Sequence, residues 1–156
     1  MIDRYTLPEM GAIWSEENKY RRWLDVELAV CEAWKELGRI PPGALKKIKE
    51  KAAFSVDRIE EIEKVVKHDV IAFLEAVGEH VGEDARFIHL GLTSYDIVDT
   101  ALSLLIKESL EKISRDVASL RDVLKGQALR HKKTVMIGRT HGVHAEPITF
   151  GVKLLV

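Results

Sequence analysis

TSYDIVDTALSLLIKESLEKISRDVASLRDVLKGQALR, residues 93–130, holds no proline and returns to an apolar side chain at helical intervals: Val98, Ala101, Leu105, Ile113, Val117, Leu120 and Leu124. Thr93 and Ser94 are candidate caps at its start. The simplest reading is one helix. At 1.5 Å per residue it is a rod of about 50 Å, several times the usual three turns of a globular helix. Rods of that length are stable when bundled, so the chain reads as all-α, leading into a long-helix bundle.

Upstream, the same logic gives shorter helices. Ser15 followed by Glu16 and Glu17 reads as an N-cap with acidic residues complementing the helix dipole. Tyr20, Leu24, Cys31, Trp34 and Leu37 then mark one face, and Gly38 with Pro41 and Pro42 stops the helix. Glu27 falls on that apolar face, which would bury a carboxylate, and we expect an arginine as its partner. Trp14, Trp23 and Trp34 read as packing residues. A short helix is expected from Gly43 to about Lys51, and another with Asp57 as its cap and Ile59, Ile62 and Val66 as its stripe. From Asp69 the pattern stays helical, which puts Lys67-His68-Asp69 either at a helix junction or on one turn. Residues 82–91 show no clear period.

Downstream of the rod, HKKTVMIGRTHGVHAEP (residues 131–147) breaks the pattern with Gly138 and Gly142. It reads as a loop. Pro147 fits the first turn of a last helix, TFGVKLLV, which runs to Val156 with no stop signal, as a fragment of a longer chain would. No internal repeat, low-complexity segment or linker divides the residues.

Composition narrows the function classes. The 24 basic and 25 acidic side chains nearly cancel, so no net field draws the chain to nucleic acid or an anionic membrane. Cys31 is the only cysteine, which excludes an intrachain disulfide and a multi-thiolate metal site and suits a reducing compartment. The N-terminus lacks an apolar core of signal-peptide length, and the longest apolar run, VIAFL, is far too short to span a bilayer. The expected setting is the cytoplasm.

Several residues are candidates for chemistry. His141 and His144, three apart, could turn two imidazoles toward one metal, but zinc needs a third protein ligand and only Glu146 is near, so the metal signal is weak. By spacing alone the pair reads as readily as hydrogen-bonded loop structure. Gly138 and Gly142 argue the other way, because they let the backbone take positive φ or approach something closely, and an imidazole is the side chain best suited to proton transfer near neutrality. His141 is therefore a site candidate. Lys67, His68 and Asp69 offer cation, imidazole and carboxylate together, although neighbours on a helix point about 100° apart and no triad follows. A solvated charged turn explains them equally well. Thr93 and Ser94 at a helix start can serve both as cap and as anion contact. Arg4 and Tyr5 supply a forked donor and a hydroxyl, which alone is a poor signal. His80, His89 and His131 carry no constellation by spacing, but His89 is near enough to Thr93 to share a pocket.

Taken together, GRTHGVHAEPITFG, HLGLTSYDIVDTA, KHDV and RY at positions 4 and 5 resemble, in order, the N-terminal part of the adenylosuccinate lyase family within the fumarase/aspartase superfamily. The resemblance implies an all-α fold with residues 1–92 as an N-terminal helical domain and 93–156 as the beginning of a central long-helix bundle, truncated here. It implies a homotetramer with active sites built from several subunits, and elimination of fumarate from adenylosuccinate and from the succinyl-carboxamide ribotide of purine synthesis. Argininosuccinate lyase or a non-catalytic helical assembly module are the alternatives. In the family pattern His141 is the general acid and His68 a second catalytic histidine in the substrate pocket. Arg4, Tyr5, Lys67, His68, Asp69, Thr93, Ser94 and Thr140 contact the substrate, His89 its phosphate, and His144 contacts substrate or supports the loop. No metal or cofactor is implied. The family's base is a serine on a glycine-rich loop past Val156, so residues 1–156 alone are expected to be inactive.

Overall fold

The computed structural model describes residues 2–156. Two 3-10 turns, seven α-helices and one two-stranded sheet make up these residues: a 3-10 turn Asp3–Tyr5, α1 Pro8–Ile13, α2 Glu16–Glu36, α3 Pro42–Lys51, α4 Val56–Val66, α5 Asp69–Val81, a second 3-10 turn Gly82–Phe87, α6 Ser94–Arg130, β1 Val135–Thr140, β2 Val143–Thr149 and α7 Phe150–Lys153. The all-α expectation holds, with the small sheet as an addition. No helix among the described residues is long and apolar enough to cross a membrane.

The chain forms two compact units, Met1–Ser109 and Leu110–Val156. In the first, the core lies where α2, α4 and α5 turn their apolar faces to one another. Phe73 is fully buried at its centre. Its ring stacks on Tyr20 at 5.8 Å and meets Trp23 edge-on at 5.6 Å, with Phe54 at 6.2 Å. Such aromatic pairs add about 0.5–1.5 kcal/mol each beyond the area they bury. Ile48, Ile59, Ile97 and Ala101 close the same cluster.

Helix starts and stops follow local chemistry. The Ser15 hydroxyl accepts the Asn18 N–H at 3.2 Å, the expected cap of α2. The cap of α4 differs from expectation: Ser55 holds the N-cap position with an extended backbone, and Asp57 lies inside the first turn, where its charge favours the helix dipole. At the start of α6, the Thr93 N–H donates to Asp96 Oδ2 at 2.8 Å, the return half of a capping box.

In the second unit the expected loop is instead a hairpin. β1 and β2 pair antiparallel from Val135 against Thr149 to Thr140 against Val143, joined by His141 and Gly142 at φ 53° and 77°. Positive φ at both central residues is the mark of a type I′ turn, whose twist matches the flanking strands. Pro147 is also corrected: it lies in β2 opposite Ile137, where a two-stranded ribbon tolerates a residue without an N–H, and Thr149 caps the following α7. Here the α6 residues Ile113, Val117 and Leu120 are exposed.

Candidate active site

Within the first unit, the candidate residues occupy three places. Arg4 and Tyr5 sit on the opening 3-10 turn, with the Arg4 guanidinium 4.7 Å from the centre of an exposed Tyr5 ring. Lys67, His68 and Asp69 form the junction between α4 and α5. Lys67 closes α4 in the left-handed region at φ 56°, and His68, extended, is the N-cap of α5. His68 Nδ1 accepts the Ile71 N–H at 3.4 Å, and Asp69 Oδ1 lies the same 3.4 Å from that nitrogen. As the cap acceptor, Nδ1 has no proton to give Asp69, so this is not a triad pair. Asp69 instead accepts its neighbour's Val70 N–H at 2.7 Å. A ring that accepts at Nδ1 carries a proton on Nε2, and that edge of a half-exposed side chain is available as a donor.

The third place is the turn before α6. His89 stands at φ 64° and belongs to the segment leading through Gly91 to Thr93 and Ser94. Here the structure corrects an expectation: the partner of the buried Glu27 is His89, not an arginine. Glu27 has no exposed surface; its Oε2 accepts the His89 main-chain N–H at 2.9 Å and its Oε1 lies 2.6 Å from His89 Nδ1. Sequence spacing could not bring together residues so far apart in the chain, although the position of Glu27 on an apolar face announced that some partner had to exist.

Two further α2 residues bind the same segment. Trp34 Nε1 donates to the Leu90 carbonyl at 2.7 Å, and the Cys31 thiol faces the Phe87 carbonyl at 3.7 Å. Burial, followed by the nearby carboxylates of Glu27 and Glu32, pushes the Cys31 thiol up from 9.0 to about 11. It therefore remains a protonated donor at neutral pH. A groove of about 770 Å³ also opens beside α2, but Val26, Ala29, Val30, Leu37 and Leu104 make it apolar, a poor match for a polyanionic ligand.

In the second unit, Thr140 ends β1 and His141 occupies the exposed hairpin turn, with His144 opposite Arg139 on the facing strand. Histidine is among the few non-glycine residues enriched at positive φ, so the turn presents an imidazole at small backbone cost. Gly138 stands where the register shifts between Ile137 and Arg139. Among the described residues no group of three or more His, Cys, Asp and Glu side chains is placed to hold a metal ion.

Known proteins resemble this chain along its whole length. A family model described as "Lyase" matches residues 3–156. The adenylosuccinate lyase of Aquifex aeolicus (strain VF5) is 57% identical over 159 residues, covering 100% of this chain and 36% of that protein. That of Bacillus subtilis (strain 168) is 54% identical over 154 residues, covering 99% of this chain and again 36% of the relative. Among solved structures, a fumarate lyase from Mesorhizobium sp. BNC1 superposes with a TM-score of 0.87 at 34% identity, covering 93% of this chain and 35% of that one. The 3-carboxy-cis,cis-muconate lactonizing enzyme of Pseudomonas putida gives 0.88 at 32% identity, covering 99% and 37%. The chain thus spans little more than a third of the proteins it matches.

Proposed function

Since this chain belongs to the lyase family of the fumarase/aspartase superfamily, we propose that it is the N-terminal part of an adenylosuccinate lyase, a cytoplasmic enzyme that eliminates fumarate from succinyl purine nucleotides. The observation that carries the reading is the 57% identity to such an enzyme across the whole of this chain. The chemistry asked of the residues is specific. A C–H bond and a C–N bond of the succinyl group break and a C=C bond forms, which requires a base for the carbon-bound proton, an acid for the leaving nitrogen, and fixed donors for charge developing on a carboxylate.

His141 is the acid in this reading. Its exposed position on a tightly specified turn suits delivery of a proton to the departing nitrogen. His68 contributes an Nε2–H donor to the substrate, with Lys67, Asp69, Arg4, Tyr5 and Thr140 as further contacts. Thr93 and Ser94 also contact the substrate, and His89 its phosphate. The base comes from chain outside these 156 residues, so residues 1–156 alone do not turn over. The exposed Ile113, Val117, Leu120 and Leu124 support burial of α6 in a bundle shared with other copies, a homotetramer.

The test uses the full-length enzyme and follows fumarate by its ultraviolet absorbance. His141→Ala is expected to cut kcat by about 10²–10⁴ with KM far less affected, the pattern of an interaction made in the transition state. A large rise in KM with kcat intact would overturn the assignment. Turnover of argininosuccinate in preference to adenylosuccinate would overturn the substrate.

A further inference from the structure

Glu27, Cys31 and Trp34, at i, i+4 and i+7 on one face of α2, each bond the segment Phe87–Leu90. Cys31 and Trp34 meet main-chain carbonyls and would serve any tight turn. Glu27 differs. A carboxylate with no exposed surface is costly to bury, and an apolar side chain would fill the place at lower cost if packing were the only requirement. Both of its oxygens are committed to one residue, grasping the His89 main chain and its Nδ1 together. That double contact fixes His89 in the left-handed conformation at φ 64°, one that histidine adopts at small backbone cost. It also fixes the ring. Because Nδ1–H is donated to Glu27, the nitrogen left to meet a ligand is Nε2, on a side chain that retains 19% of its exposure.

From this geometry we infer that Glu27 is the positioning residue of the site, clasping His89 so that its Nε2 edge is presented to the anionic phosphate of a nucleotide substrate. The inference rests on the reading that His89 contacts that phosphate. One ring nitrogen is engaged by Glu27, and the other, Nε2, is the edge turned to a phosphate oxygen. Glu27 itself touches no substrate. Its removal should therefore weaken binding and leave the chemical step nearly intact.

Glu27→Gln, His89→Ala and the double variant in the full-length enzyme test this. Glutamine keeps the shape but offers one acceptor oxygen where the clasp needs two. KM for adenylosuccinate is expected to rise about tenfold in Glu27→Gln with kcat within about threefold, and the inhibition constant of inorganic phosphate to rise in parallel. His89→Ala should raise KM at least as much, and the double variant no further, because Glu27 acts through His89. Since Glu27→Gln can fail to fold, Glu27→Asp, which withdraws the carboxylate by one methylene, accompanies it and is expected to show an intermediate KM. A folded Glu27 variant with unchanged KM beside an impaired His89→Ala overturns the inference alone, as do additive effects in the double variant or loss of fold in both Glu27 variants. An unchanged KM in His89→Ala overturns the phosphate-contact reading beneath it.

Discussion

Gly138 and Glu146 meet across the hairpin so closely that a Cβ on Gly138 would lie 2.7 Å from the Glu146 carbonyl oxygen. The contact falls where β2 carries an extra residue, between the Ile137–Pro147 and Arg139–His144 pairs. Such a bulge re-aims the strand end and here sets the last pairs before His141. Gly138→Ala must push the two backbones apart. It is expected to cost about 1–3 kcal/mol, the usual range for overpacking, and to lower kcat in the full-length enzyme through a displaced His141. Thermal denaturation and fumarate release check it; a variant as stable and active as the parent would show that the bulge has room to spare.

The place of His141 in the turn and its proposed role as acid are separable by one substitution. As a turn residue it needs only to accept φ 53°, which asparagine does as well or better. As an acid it needs an imidazole. His141→Asn should therefore keep stability within about 0.5 kcal/mol, as for surface changes that respect the backbone, while turnover falls by about 10²–10⁴. A stable variant that retains turnover would remove His141 from the chemistry.

The contrast between α6 and the hairpin explains what could be read from sequence. The limits of α2 and the start of α6 follow from periodicity and caps within a few residues, and Ser15, Gly38 and Thr93 announce them. The hairpin is announced by two strand-like runs, VMIGRT and VHAEPIT, separated by two residues. Its central pair is His-Gly where Asn-Gly or Asp-Gly is the usual signal, so the glycines alone suggested a loop. Ser55 and Asp57 are both acceptable caps, and the backbone decides between them. Glu27 and His89 are joined only by tertiary packing, which no local pattern encodes.

Cys31 makes a prediction about alkaline stability. Its thiol titrates at about 11 in the folded chain and near its ordinary 9.0 when unfolded. Between those values the folded state holds a proton that the unfolded state has lost, so the contribution to stability is complete below pH 9 and disappears as pH rises toward 11. Denaturant midpoints for the parent and Cys31→Ala, compared across that window, should show the parent losing stability more steeply. Parallel curves would mean that the thiol titrates normally in the fold.

Lys67 offers the clearest separation of architecture from function. It stands at φ 56° with its N–H bonded to Glu63 O at 2.9 Å, the left-handed end of α4 where glycine is the residue most at ease. A lysine there sustains a conformational cost of about 1 kcal/mol that glycine avoids. Lys67→Gly is therefore expected to leave the fold as stable or slightly more so. What lysine adds at this position is the ammonium group, which at the α4–α5 junction, next to the cap histidine His68, is suited to an anionic substrate. The same variant should raise KM for adenylosuccinate several-fold, an effect that weakens with added salt as screening replaces the lost charge. A stabilised variant with unchanged KM would reduce Lys67 to a helix terminus and leave His68 as the only substrate contact in that junction beside Asp69.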